Sequence, residues 1–156
     1  MRKQAAKGFA MFMLVIALAF ATAVVSANGQ SSQSKANVPF DFTVGSKTLA
    51  SGNYAVDAMT AGGNCLKISN TQAKGAAVSL TIPAEGRSKS SKLVFHRYGE
   101  RYFLAEVWTD GGTHGRQLTK SRQERAIEKE RARIASLSGS PVRHTYETVE
   151  IATTLN

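Results

Sequence analysis

The sequence predicts a mainly β protein: an antiparallel β-sandwich or small barrel of about six or seven strands, with one C-terminal α-helix and a signal helix in front. Three observations carry this. Apolar and polar residues alternate with period two through much of the segment 36–120, and glycine-rich breaks separate the runs. After Ser121 the pattern lengthens to that of a helix. Before residue 28 lies an uncharged run that belongs to neither pattern. With 156 residues, 42% hydrophobic and 20% charged, the chain has material for one packed core. That composition excludes a wholly disordered chain and a multi-span membrane protein.

Arg2, Lys3 and Lys7 precede an uncharged run from Gly8 to Val25, greasiest in MFMLVIALAF, Met11 to Phe20. The run ends Val25-Ser26-Ala27. A basic start, an apolar middle and a small-residue end predict a secretory signal peptide over 1–27, cut after Ala27 or, as second choice, after Ala23. The competing reading is an uncleaved anchor, since 18 residues is the lower limit for a span. Export across the inner membrane, to the periplasm or beyond, is the expected destination. Residues 28–35 form a polar linker. Cleavage leaves 129 residues with seventeen basic side chains against eleven acidic, so the formal +9 becomes +6. The only cysteine, Cys65, permits no internal disulfide. It reads as a small apolar strand residue, with an intermolecular bridge as the alternative.

Val38, Phe40, Phe42 and Val44 alternate with Pro39, Asp41 and Thr43 and predict the first strand, beginning or edge-lying at Pro39, which lacks a ladder donor. Gly45 and Gly52 bracket a loop. Tyr54, Val56 and Ala58 mark a second strand, and Leu66 and Ile68 a third after the break at Gly62-Gly63-Asn64. Val78, Leu80 and Ile82 alternate with Ser79 and Thr81 in a fourth, stopped by Pro83, and Glu85 to Ser91 is a polar loop. Leu93–Tyr98 and Arg101–Thr109 predict a hairpin turning at Gly99-Glu100. Its second arm is apolar on both sides, with Phe103, Ala105 and Val107 on one face and Tyr102, Leu104 and Trp108 on the other, which calls for cover on both. Asp110 to Gly115 is a turn-rich loop.

Ser121-Arg122-Gln123-Glu124 fits a capping box and opens a charged amphipathic helix over 121–137. Ala126, Ile127, Ile134 and Leu137 give it a narrow apolar stripe, expected to rest over Leu104 and Trp108. Glu128 with Arg131 and Glu130 with Arg133 are favourable three-apart pairs. Pro141 closes that region, and the segment 138–156 is an edge strand within Val142–Ala152 or a loose tail.

The residue types for chemistry are sparse. His96, His114 and His144 lack metal-site spacing, so no metal or cofactor is expected. No Gly-x-Ser-x-Gly elbow is present, and Gly86-Arg87-Ser88-Lys89 lacks the spacing of a phosphate loop. Asp41, Asp57, Glu106 and Asp110 lie in or near strands, with a solvated face as their default. Charge is the strongest signal. Glu85 to Arg101 holds five basic against two acidic residues, or +3, and His114 to Pro141 seven against three, or +4. The rest of the exported chain nets −1.

Three segments carry a resemblance: VPFDFTVGSKTL from Val38 to Leu49 with Gly52 and Tyr54; KLVFHRYGERYFLAEVW from Lys92 to Trp108; and Gly115-Arg116 with Ser121-Arg122-Gln123-Glu124. Together they resemble a family of small uncharacterised exported β-rich proteins of soil bacteria. The resemblance implies a signal peptide and a compact β domain, and it brings no catalytic residue with it. Ala50-Ser51-Gly52 departs from it, since a proline is expected before that glycine.

The expected function is therefore an exported, non-enzymatic β domain with a binding or cell-envelope role. Its contact surface would be Arg97, Arg101, Arg122 and Arg125, with Tyr98 and Trp108 as aromatic anchors. The partner would be an anionic envelope component, a lipid headgroup or acidic glycan, rather than nucleic acid. Two alternatives stand beside it: a small hydrophobic-ligand-binding barrel, and a hydrolase whose scattered site joins His96 or His144 to a carboxylate.

Overall fold

The computed structural model describes residues 33–138 and 146–155. The signal peptide and cleavage sites expected from the sequence, most of the expected linker and His144 lie outside these residues. The protein is mainly β with one α-helix among the described residues. Eleven strands, more than expected, share one sheet: β1 Ser34–Val38, β2 Phe42–Val44, β3 Lys47–Leu49, β4 Gly52–Ala58, β5 Cys65–Asn70, β6 Ala76–Pro83, β7 Lys92–Tyr98, β8 Arg101–Thr109, β9 His114–Leu118, β10 Glu147–Ala152 and β11 Thr154–Leu155. The helix, α1, spans Arg122–Leu137.

Neighbouring strands run β10-β7-β8-β9-β6-β5-β4-β1-β11, all antiparallel along this path. The β2–β3 hairpin joins from the side, with β2 parallel to β8, so the sheet is mixed. The path does not return to its start and the sheet is not a closed barrel. Its two ends are nevertheless adjacent in sequence. β10 pairs with β7, β11 pairs with β1, and only Thr153 separates them. The C-terminal segment thus acts as a strap across the opening. β6 makes the opposite corner: Ala76–Leu80 pair with β5, and Thr81–Pro83 with β9.

The core lies between these curved halves. Val38, Phe42, Val44, Tyr54, Ile68, Leu93, Phe95 and Val107 are all but sealed from solvent. Phe42 meets Tyr54 and Phe95 edge-on at centroid distances of 4.9 and 5.3 Å, the arrangement that ring quadrupoles favour.

Several elements depart from the sequence reading. The alternating run Val38–Val44 is two strands, not one. Pro39 cannot donate to a ladder, and the chain crosses there from a pairing with β4 to pairings with β3 and β8. The presumed loop between Gly45 and Gly52 contains β3, and the turn-rich loop ends in β9. In β6 the alternating apolar set faces outward: Val78, Leu80 and Ile82 are 56, 71 and 58% exposed, while Ala77 and Thr81 point inward. The hairpin of β7 and β8 forms as expected, and Gly99 supplies the positive φ of its turn. A bulge at Val94/Phe95 leaves Ala105 unpaired and shifts the faces of β8. As a result Leu104 and Val107 share the core, against the assignment that put them on opposite sides. The segment after Pro141 does supply a strand, β10.

Candidate functional site

α1 starts at Ser121, whose Oγ accepts from the Glu124 N–H at 3.0 Å. The capping box is only half made. Glu124 turns its carboxylate away from the cap and into the protein, and it is the one buried residue of the helix. Its Oε1 lies 2.7 Å from His96 Nδ1 and 3.3 Å from Tyr98 Oη, both on β7. With Glu124 ionised, a carboxylate only accepts, so His96 carries its proton on Nδ1.

One turn on, Glu128 accepts from Tyr98 Oη at 2.7 Å and from Lys120 Nζ at 2.5 Å. The Tyr98 phenol has one proton, and the shorter contact claims it for Glu128. Burial, the Glu128 hydrogen bond and the two nearby carboxylate charges push the Tyr98 phenol well above its ordinary value. It therefore stays neutral and donating. Tyr146, just before β10, stacks on His96 at 3.8 Å. Arg131 lies 5.6 Å from the Tyr98 ring centroid.

The expected apolar docking of the helix is not found: Ile134 and Leu137 are 54 and 76% exposed. The helix is held over His96 and Tyr98 by its carboxylates, not over Leu104 and Trp108 by a greasy stripe. Glu130 pairs with Arg133 at 2.8 Å as expected, whereas Glu128 is taken by Lys120 and Tyr98.

This inward turn of two acids has an outward counterpart. Arg122, Arg125, Lys129 and Arg133 follow at spacings of three, four and four, and all are exposed. At about 100° per residue they fall within about 80° of arc. Among the described residues no bonded partner is found for Arg122, Arg125 or Lys129.

The six residues singled out from sequence divide accordingly. Arg122 and Arg125 stand on this face. Arg97 is half-buried: its Nε donates to Gly99 O at 2.8 Å, and its other nitrogens sit 3.3 Å from Glu147 and 3.5 Å from Glu100. Arg101 is exposed, donates to Gln123 at 3.0 Å and lies 5.6 Å from the Phe103 centroid. Tyr98 and Trp108 are corrections. They are only 4 and 5% exposed and cannot serve as surface anchors. Tyr98 is consumed by the helix acids. Trp108 lies so close over β9 that a Cβ on Gly115 would meet its ring at 2.5 Å.

Lys129 and Arg133 were missed, although their spacing with Arg122 and Arg125 is readable in the sequence. The His96–Glu124 contact was not readable, because nothing local links positions 28 apart. It does join a histidine to a carboxylate, as the hydrolase alternative requires. Yet no hydrogen bond extends from His96 to a hydroxyl or thiol among the described residues, and its ring is covered by Tyr146.

No group of three or more histidine, cysteine, aspartate or glutamate side chains suited to a metal occurs among the described residues. No helix among them is long and apolar enough to cross a membrane. Comparison with protein-family models, with curated proteins and with solved structures finds no match.

Proposed function

We propose that the protein is an exported, non-enzymatic binding module that lays the outer face of α1 against an anionic surface of the cell envelope. The observation that carries this reading is the sorting of charge on the helix. Glu124 and Glu128 are spent on β7 and Lys120, which leaves Arg122, Arg125 and Lys129 facing solvent without a carboxylate partner. Exposed Leu137 near the helix end, about 40° beyond the edge of the basic arc, favours lipid headgroups over a glycan, because an apolar residue beside a basic face gains from entering the headgroup boundary.

The test is cosedimentation with vesicles containing phosphatidylglycerol, with neutral vesicles and an acidic glycan as comparisons. Each cation contributes about 1 kcal/mol near an anionic membrane, so Arg122→Ala, Arg125→Ala and Lys129→Ala together should weaken binding about 100-fold. Added salt should weaken it further. Leu137→Ser should reduce vesicle binding alone. Binding indifferent to the triple substitution overturns the reading.

A further inference from the structure

A cavity of about 270 Å³ opens at the end of the sheet away from any contact made by α1. Its floor is Val56, Leu66 and Val107, each at most 4% exposed. Its walls are small: Ala58, Ala61, Gly62 and Gly63. Its rim carries Thr109, His114 and Arg116 from β8 and β9. Among the described residues no carboxylate lines it.

Arg116 is the side chain of interest. It is half-buried, and its guanidinium lies across the loop between β4 and β5. Nη2 donates to the Gly62 carbonyl, and Nη1 to Asn64 Oδ1 at 3.4 Å. Both acceptors are neutral, so the charge is bonded but not neutralised. Gly63 makes this approach feasible: its φ is +64°, and a Cβ there would come within 2.9 Å of Arg116 Nε. A guanidinium presents five donors in a planar fork that matches a carboxylate, and a charged acceptor bonds it about twice as strongly as a neutral one.

We propose that this cavity binds a small monocarboxylate with an apolar body. The tail would rest on Val56, Leu66 and Val107, and the carboxylate would take Arg116 from the loop carbonyls. At about 30 Å³ per water the space equals about nine waters, which limits the ligand to about ten non-hydrogen atoms. The rim excludes a purely apolar ligand as the best fit, because such a molecule would cover the guanidinium and give it no charge in return.

Octanoate is a suitable probe and 1-octanol its uncharged counterpart, both followed by titration calorimetry on the folded protein. Octanoate should bind with a dissociation constant below about 1 mM and at least tenfold more tightly than octanol. Arg116→Gln should weaken octanoate at least tenfold and leave octanol unchanged. Ala58→Phe, at an exposed wall position that should not disturb folding, should fill the space and abolish binding of both. The triple helix substitution described above should have no effect, which separates this site from the basic face of α1. Octanoate and octanol binding equally, octanoate binding that survives Ala58→Phe, or no heat with octanoate at about 10 mM would each overturn the proposal.

Discussion

At Glu124 a carboxylate has left water almost completely, with its side chain 4% exposed, and its compensation comes from His96 Nδ1 at 2.7 Å. Removing one partner of such a buried pair strands the other, so Glu124→Ala should cost about 3 kcal/mol in denaturant unfolding. His96→Ala should cost a similar amount, and the double variant should cost clearly less than the sum of the two. The neighbouring Lys120–Glu128 contact gives a pH signature. Burial by itself raises Glu128, but the hydrogen bonds from Lys120 and Tyr98 and the Lys120 charge outweigh it and hold the carboxyl below its ordinary 4.5. Burial by itself lowers Lys120, but Glu128 outweighs that and lifts the ammonium above 10.5. A depressed carboxyl adds stability above its unfolded value and loses it as pH falls through the folded one. A raised ammonium adds stability below its unfolded value and loses it as pH rises through the folded one. The pair therefore contributes in full between pH 4.5 and 10.5 and fades on either side. Lys120→Met should lower stability at neutral pH, yet approach the parent protein once the pH has fallen through the depressed titration of Glu128 and its carboxyl is protonated in both. Two buried hydroxyls, Ser34 Oγ and Thr153 Oγ1, lack a hydrogen-bond partner among the described residues. Thr153→Val should raise the unfolding free energy by about 1 kcal/mol, since it replaces an unsatisfied group by an apolar one of the same shape.

Among the elements, β6 shows what a periodic pattern contains and what it lacks. Val78, Leu80 and Ile82 do alternate along a strand, as expected, but period two gives no phase. The β2–β3 hairpin packs against β6, and Phe42 and Leu49 already occupy the interior there, so the space left admits Ala77 and Thr81. Leu80→Thr should accordingly change stability by less than about 0.5 kcal/mol, whereas Ala77→Asp should cost several times more. Thermal unfolding of the two variants checks both. The hairpin of β7 and β8, with long apolar arms and a glycine turn, was readable in full apart from its bulge. β9 was not, because His114-Gly115-Arg116-Gln117-Leu118 has no alternation to read and is a strand only through its neighbours β6 and β8. The same holds for β1, whose polar residues earn their place by pairing with β4. For α1 the start was readable from its cap and the basic face from its spacing. The docking surface was not, since it depends on acids reaching residues that the turn of the sheet brings near.

For the molecule as a whole, the strap of β10 and β11 decides whether the longer edges of β7 and β1 are covered. β10 covers β7 over six residue pairs and β11 covers β1 over two. Ending the chain after Ala152 should remove only the smaller seam and leave a folded protein of reduced stability. Ending it before Glu147 should expose β7 along its length and produce aggregation on refolding, read by light scattering. The strap also sets a timetable. Ser34 and Leu155 are about 120 positions apart, and closing so long a loop is entropically costly before any contact rewards it. A chain made from its N-terminus forward has β1 early and its partner β11 only when everything between them has emerged. Until then β1 and β7 each keep one side bare, and the growing polypeptide remains an incomplete sheet whose last stitch is sewn after synthesis has passed residue 155.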